Sequence, residues 1–274
     1  MLKPSDYLTI HQPDSKHDQQ IAILYFHGGG LLYGTREDLP PSILNQFLSH
    51  GLTVISIDYP LAPETKLPEI IANTKETVKS IQTKILPSLS IHHYFLYGRS
   101  AGSYLCFILG RDFKETAPLG ILAFYGYYNL MDDFNWQTSS YYASLPIIKE
   151  ESISKMIGKD MVMSAPKESR YALYVYARQQ GKWLDLLGID EKLAAQYSLT
   201  DEDLKNLPPL FLAASTDDQD VPYRVSKHLY RLKPGTVMKT VYNMEHDFDR
   251  DGTLATVKEI YDEALNWIIS LIKI

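Results

Sequence analysis

The stretch Gly98-Arg99-Ser100-Ala101-Gly102 constrains this chain more than any other. An apolar run, His93-Tyr94-Phe95-Leu96-Tyr97, leads into it, and Tyr104, Leu105, Phe107, Ile108 and Leu109 follow with the length and composition of a helix. The order is therefore strand, tight turn, helix. Two glycines permit a turn so sharp that Ser100 takes a strained backbone conformation, which lifts its hydroxyl out of the fold. Glycine and serine are common in turns, so the weight of this pentapeptide depends on what surrounds it.

What surrounds it is a regular alternation. Leu8-Thr9-Ile10-His11 reads as a short strand, residues 15–20 as a polar turn, and Ile21-Ala22-Ile23-Leu24-Tyr25-Phe26 as a strand covered on both faces, because it is apolar without a break. Ile43, Leu44, Phe47 and Leu48 lie at helical spacing within residues 39–50, and Gly51 suits a C-terminal cap. A Val- and Ile-rich strand over residues 52–58 comes next. Leu67, Ile70, Ile71, Thr74, Val78, Ile81 and Ile85 then form the stripe of a helix packed on a sheet, which Pro87 should end. After the pentapeptide come a strand over 119–125, another over 210–214, a helix over 221–232, a strand over 236–242 and a terminal helix over 254–272. Alternation of this kind predicts an α/β fold with a mostly parallel sheet and helices on both faces.

The pattern breaks between residues 130 and 207. No strand is convincing there, whereas 146–157, 166–180 and 183–187 are amphipathic, and Thr200 with Asp203 resembles a capping box. The segment is too aromatic for a linker and reads as a helical insertion within one domain of 274 residues. Of the 20 tyrosines many fall between Tyr125 and Tyr176; packing with satisfied phenols is one explanation and a pocket wall is the other.

Composition narrows the function. A net charge of -6 without a basic block makes nucleic acid an unexpected partner, and no run reaches the length of a membrane span. The first residues lack the apolar core of a signal peptide, so the cytoplasm is the expected compartment. The single cysteine, Cys106, sits on the apolar face of a helix and reads as a buried thiol.

A serine needs a base to become a nucleophile, and the base needs a carboxylate to fix its tautomer. Two histidines remain after the insertion. His228 lies inside a helix, whereas His246, in Met244-Glu245-His246-Asp247-Phe248, follows a strand and precedes the last helix. Asp217, Asp218 and Asp220 compete for the acid after the strand at 210–214; they lack the spacing of a calcium loop, and no metal or other cofactor is expected. Backbone N–H groups at Gly29 and Gly30, after the strand at 21–26, and at Ala101, at a helix N-terminus, could hold an oxyanion. The triple glycine is neither a phosphate loop nor a dinucleotide fingerprint, since Tyr33 stands where the last glycine should be.

With these parts placed, the chain resembles the α/β-hydrolase fold, in the branch of hormone-sensitive-lipase-like carboxylesterases and bacterial acetyl esterases. His27-Gly28-Gly29-Gly30, Asp58-Tyr59-Pro60-Leu61-Ala62-Pro63-Glu64 and Ser100-Ala101-Gly102 carry the resemblance, together with the order Ser, Asp, His. It implies a serine carboxylesterase for short- to medium-chain acyl esters of a small-molecule substrate, with Ser100, Asp218 and His246 as triad and Gly29, Gly30 and Ala101 as oxyanion hole. Asp218 is favoured by its place four residues before Pro222, a spacing common in such hydrolases, with Asp220 in reserve. The resemblance also makes residues 130–207 a helical cap over the site. Arg99 departs from the Asp or Thr usual before the nucleophile, and either forms an ion pair, points to solvent or influences substrate charge preference. Two alternatives stay open. One is a prolyl-oligopeptidase-like peptidase, although only about 20 residues precede the strand at 21–26. The other is a ligand-binding protein on the same scaffold, as in plant gibberellin receptors, which lack the histidine. A homodimer is compatible with the sequence.

Overall fold

A computed structural model describes residues 3–14 and 18–272. The first three positions of the polar turn expected at 15–20 lie outside the described residues. Seven strands form one sheet in the order β1-β3-β2-β4-β5-β6-β7. They are β1 (Leu8–His11), β2 (Ile21–Phe26), β3 (Leu52–Ile57), β4 (His93–Arg99), β5 (Ile121–Phe124), β6 (Leu210–Ser215) and β7 (Val237–Val241). Only the edge strand β1 runs antiparallel, against β3; every other pairing is parallel.

The apolar runs have the expected consequence. All residues of β2, β3 and β6 are buried, because helices cover both faces. One face packs Phe47 and Ile43 of α1 (Pro41–Ser49) with Trp267 and Ile268 of α6 (Ala255–Ile272). The other packs α2 (Leu67–Ser80), α3 (Ala101–Asp112), the segment 130–207 and α5 (Arg224–Leu232). Cys106 is buried among these apolar side chains, and burial pushes its thiol pKa up.

The helix expected to end at Pro87 ends one residue later, at Ser88, and is not regular throughout. It runs as α2, widens into a π turn over Ile81–Ile85 and closes with a last turn, Leu86–Ser88. Proline lacks an N–H and crowds the carbonyl one turn back, and the wider turn just before it relieves that conflict. Between β5 and β6 the described residues form helices, the longest being α4 (Lys167–Gln180), and no strand. Of the amphipathic piece at 146–157 only Glu150–Ser154 is helical, while Thr200 and Asp203 do make a capping box. Among the described residues no helix is long and apolar enough to cross a membrane.

Register positions the chemistry. Phe26 lies level with both Ile57 and Gly98, and Arg99 with Phe124. The chain therefore leaves β2, β3, β4 and β5 at one edge of the sheet, the carboxyl edge, where loops of parallel sheets converge on ligands.

Candidate active site

The turn after β4 is strained at one residue. Ser100 has φ 52 and ψ -117, values a side-chain-bearing residue rarely takes, and its N–H donates to Phe124 O at 2.9 Å. The flanking glycines serve a different need from the one the sequence suggested. A Cβ on Gly98 would lie 2.3 Å from the backbone of Gly102, and one on Gly102 would lie 2.1 Å from Phe26 O. Both are required by close approach of backbones rather than by their own dihedrals. The result is that α3 begins against the end of β2, with Ser100 at its N-cap.

Ser100 Oγ lies 2.8 Å from His246 Nε2, and His246 Nδ1 lies 2.7 Å from Asp218 Oδ2. The other carboxylate oxygen of Asp218 accepts the N–H groups of Asp220 and Val221 at 2.8 and 2.9 Å, which fixes the carboxylate towards the ring. Ser215 at the end of β6 donates to Met244 O at 2.6 Å and ties the two loops together. The Tyr125 ring meets the imidazole edge-on at 4.7 Å. Burial opposes a charge on His246, yet Asp218, followed by Asp220 and Asp247, outweighs it and lifts the pKa to about 9.

Of the other acid candidates, Asp217 makes no contact with the ring. Asp220 does approach it, but from the opposite side, with Oδ2 4.0 Å from Nε2. Its oxygens accept from Tyr174 Oη at 2.7 and 2.9 Å, and Arg178 Nε lies 3.4 Å away. His228 is half exposed on α5, near Asp201.

The loop after β2 takes left-handed conformations at Gly29 and Gly30, with φ 100 and 59. Their N–H groups have no protein acceptor among the described residues, and that of Ala101, the first residue of α3, has none within its helix. The segment 58–64 braces this loop. Tyr59 Oη donates to His27 O at 2.7 Å and its ring stacks on His27 at 4.2 Å; Ala62 N donates to Leu31 O at 2.8 Å. Asp58 holds Arg36, and Glu64 holds Arg170 of α4 at 2.7 Å.

Several residues at the site carry no local sequence signal. Tyr174 packs its ring where a Cβ on Gly30 would stand, and Trp183 Nε1 donates to Gly30 O at 2.8 Å. Arg99 is buried: Nη2 meets Asp249 Oδ1 at 2.7 Å and Nε donates to Tyr125 Oη at 2.7 Å. Asp249, fully buried, also accepts from Tyr125 and Tyr261. The structure thus assigns Arg99 to an ion pair beneath the serine. A cavity of about 310 Å³ opens over these groups, bounded by Ser100, His246, the three loop glycines and Tyr174.

Comparison with known proteins gives four findings. A family model described as alpha/beta hydrolase fold matches residues 23–249. The crystal structure of an alpha/beta hydrolase superfamily protein from Enterococcus faecalis is similar over 97% of this chain and 95% of that one, with 32% identity and a TM-score of 0.86. An acetyl esterase of Salmonella typhi is 30% identical over 121 residues, which are 41% of this chain and 37% of the esterase. A non-reducing polyketide synthase of Penicillium brevicompactum is 28% identical over 141 residues, 47% of this chain but 6% of the synthase. The match thus spans well under half the length of either of these two relatives.

Proposed function

The chain belongs to the alpha/beta hydrolase fold family, and on that premise we propose that it is a serine carboxylesterase for acyl esters of short to medium chain length. The observation that carries this is the hydrogen-bonded chain Asp218–His246–Ser100, of 2.7 and 2.8 Å, at the wall of the cavity. The acetyl esterase relative supports the choice of an ester substrate.

In this reading Ser100 Oγ attacks the ester carbonyl while His246 Nε2 takes its proton. Asp218 holds the ring through Nδ1–H and stabilises the imidazolium. Negative charge develops on the carbonyl oxygen, and the N–H groups of Gly29, Gly30 and Ala101 receive it. Collapse breaks the bond to the alcohol oxygen, which leaves with the proton from His246. Water then repeats the sequence on the acyl-serine and releases the acid. Residues 130–207 act as a helical cap, with Tyr174 of α4 and Trp183 among its contacts to the oxyanion loop. A pure binding protein would have no use for a histidine placed 2.8 Å from the serine.

The test is Ser100→Ala against a 4-nitrophenyl acetate-to-octanoate series, with fluorophosphonate labelling of the wild type. Loss of turnover with the fold retained is expected; a variant that keeps the wild-type rate refutes the assignment.

A further inference from the structure

The walls of the cavity are unlike those that hold an aliphatic chain. Of the residues bounding it, Pro166 alone is aliphatic and bears a side chain; leucine, isoleucine, valine, methionine and phenylalanine are all absent. A narrower cleft of about 70 Å³ continues from it past His246 and is again without an aliphatic side chain. Tyr33, Tyr141, Tyr142 and Tyr171 form its apolar surface, while Gln219 and Glu245 stand at its exposed rim. The rings touch one another: Tyr33 meets Tyr171 edge-on at 5.7 Å, and Tyr141 meets Tyr142 at 5.1 Å. Lys167 Nζ lies 4.7 Å above the Tyr171 ring.

This cleft borders His246 but not Ser100. In ester hydrolysis the histidine returns its proton to the departing alcohol, so the alcohol lies on the histidine side. A methylene buried against an apolar wall is worth about fourfold in binding, and here the only such surface is the tyrosine rings, broken up by carboxylates, the Lys167 ammonium and the Arg250 guanidinium, which reduces the gain for an extended alkyl chain. Aromatic faces with polar edges instead suit a ring whose C–H face is apolar and whose rim is hydroxylated.

Resting on the esterase reading above, the geometry points to a polyhydroxylated ring, a sugar, as the alcohol part of the substrate, lying in the cleft against Tyr33 and Tyr171 with its hydroxyls on Gln219 and Glu245. The test compares methyl 6-O-acetyl-β-D-glucopyranoside with cyclohexylmethyl acetate. Both release acetate from a primary carbinol on a six-membered ring, and they differ in ring oxygen, methoxyl and hydroxyls. The expected kcat/KM is at least tenfold higher for the sugar ester. Tyr171→Ala should reduce sugar-ester kcat/KM at least five times more than it reduces cyclohexylmethyl acetate kcat/KM, and Gln219→Ala, at an exposed position, should act in the same direction. Equal or reversed preference, with 4-nitrophenyl acetate still hydrolysed, overturns the sugar subsite and leaves the esterase reading standing. Faster turnover of acetylcholine than of the sugar ester overturns it in favour of charge recognition. Failure to hydrolyse any of these esters overturns both.

Discussion

Replacing the two aspartates on either side of His246 by asparagine, one at a time, separates orientation from charge. Asp218 meets Nδ1 at 2.7 Å and is itself held by two backbone N–H groups, so Asp218→Asn keeps the shape but offers the ring the wrong partner. A loss of about 10⁴ in kcat follows, on the order of 5 kcal/mol of transition-state stabilisation. Asp220 lies 4.0 Å from Nε2 without a hydrogen bond to it. A charge pair at that distance is worth about 4 kcal/mol at an effective dielectric near 20. Arg178, 3.4 Å from the same carboxylate, offsets part of this, so Asp220 raises the His246 pKa by less than Asp218 does. Asparagine at 220 still offers an oxygen to Tyr174. Asp220→Asn is therefore expected to keep kcat within about tenfold and to move the ascending limb of kcat/KM from about 9 towards neutrality. The assay is the pH profile of 4-nitrophenyl acetate hydrolysis from pH 5.5 to 9.5, corrected for spontaneous hydrolysis. Equal losses in the two variants, or an unmoved limb in Asp220→Asn, would refute the division of labour.

Two further outcomes concern the scaffold. Gly102→Ala drives a methyl to 2.1 Å from Phe26 O, where only backbone can give way, so a loss of about 3 kcal/mol is expected, read as a thermal midpoint roughly 6–12 °C lower; a midpoint within 2 °C, roughly, of wild type would show that the turn has slack. Arg99→Met leaves the fully buried Asp249 without its cation and should cost about 3–5 kcal/mol in urea unfolding, at least half of it recovered on adding Asp249→Asn; no recovery would mean that Arg99 acts through packing alone.

The His246–Asp218 pair also makes stability depend on pH. His246 binds its proton more tightly in the folded chain than the ordinary value of 6.5, reaching about 9. The associated stability is fully present below pH 6.5 and is lost as pH rises through 9, the sign expected of a base that gains a carboxylate partner on folding.

What the sequence by itself determined is what neighbours along the chain control. Unbroken apolar runs require strands covered on both faces, and β2 and β3 are buried throughout. Gly98 and Gly102 around Ser100 specify a strand that turns sharply into a helix, although the reason, room for two backbones to touch, is a contact with β2 that no pattern in the pentapeptide displays. That Ser100, the aspartates at 217–220 and His246 each follow a strand, β4, β6 and β7, came from the alternation, while the choice among the aspartates came from the family resemblance. Tertiary structure decided which partners meet. Asp218 and Asp220 have nearly the same local context, yet one faces Nδ1 and the other the opposite edge of the ring, because backbone N–H groups of their own turn aim Asp218. Arg99 finds its carboxylate 150 positions away, at Asp249, and Tyr174 reaches the glycine loop after β2 from an α4 that the Glu64–Arg170 pair ties to the segment 58–64. Such contacts depend on how loops from distant strands converge at one edge of a sheet, and the physical rules that operate within a few residues hold no information about that convergence.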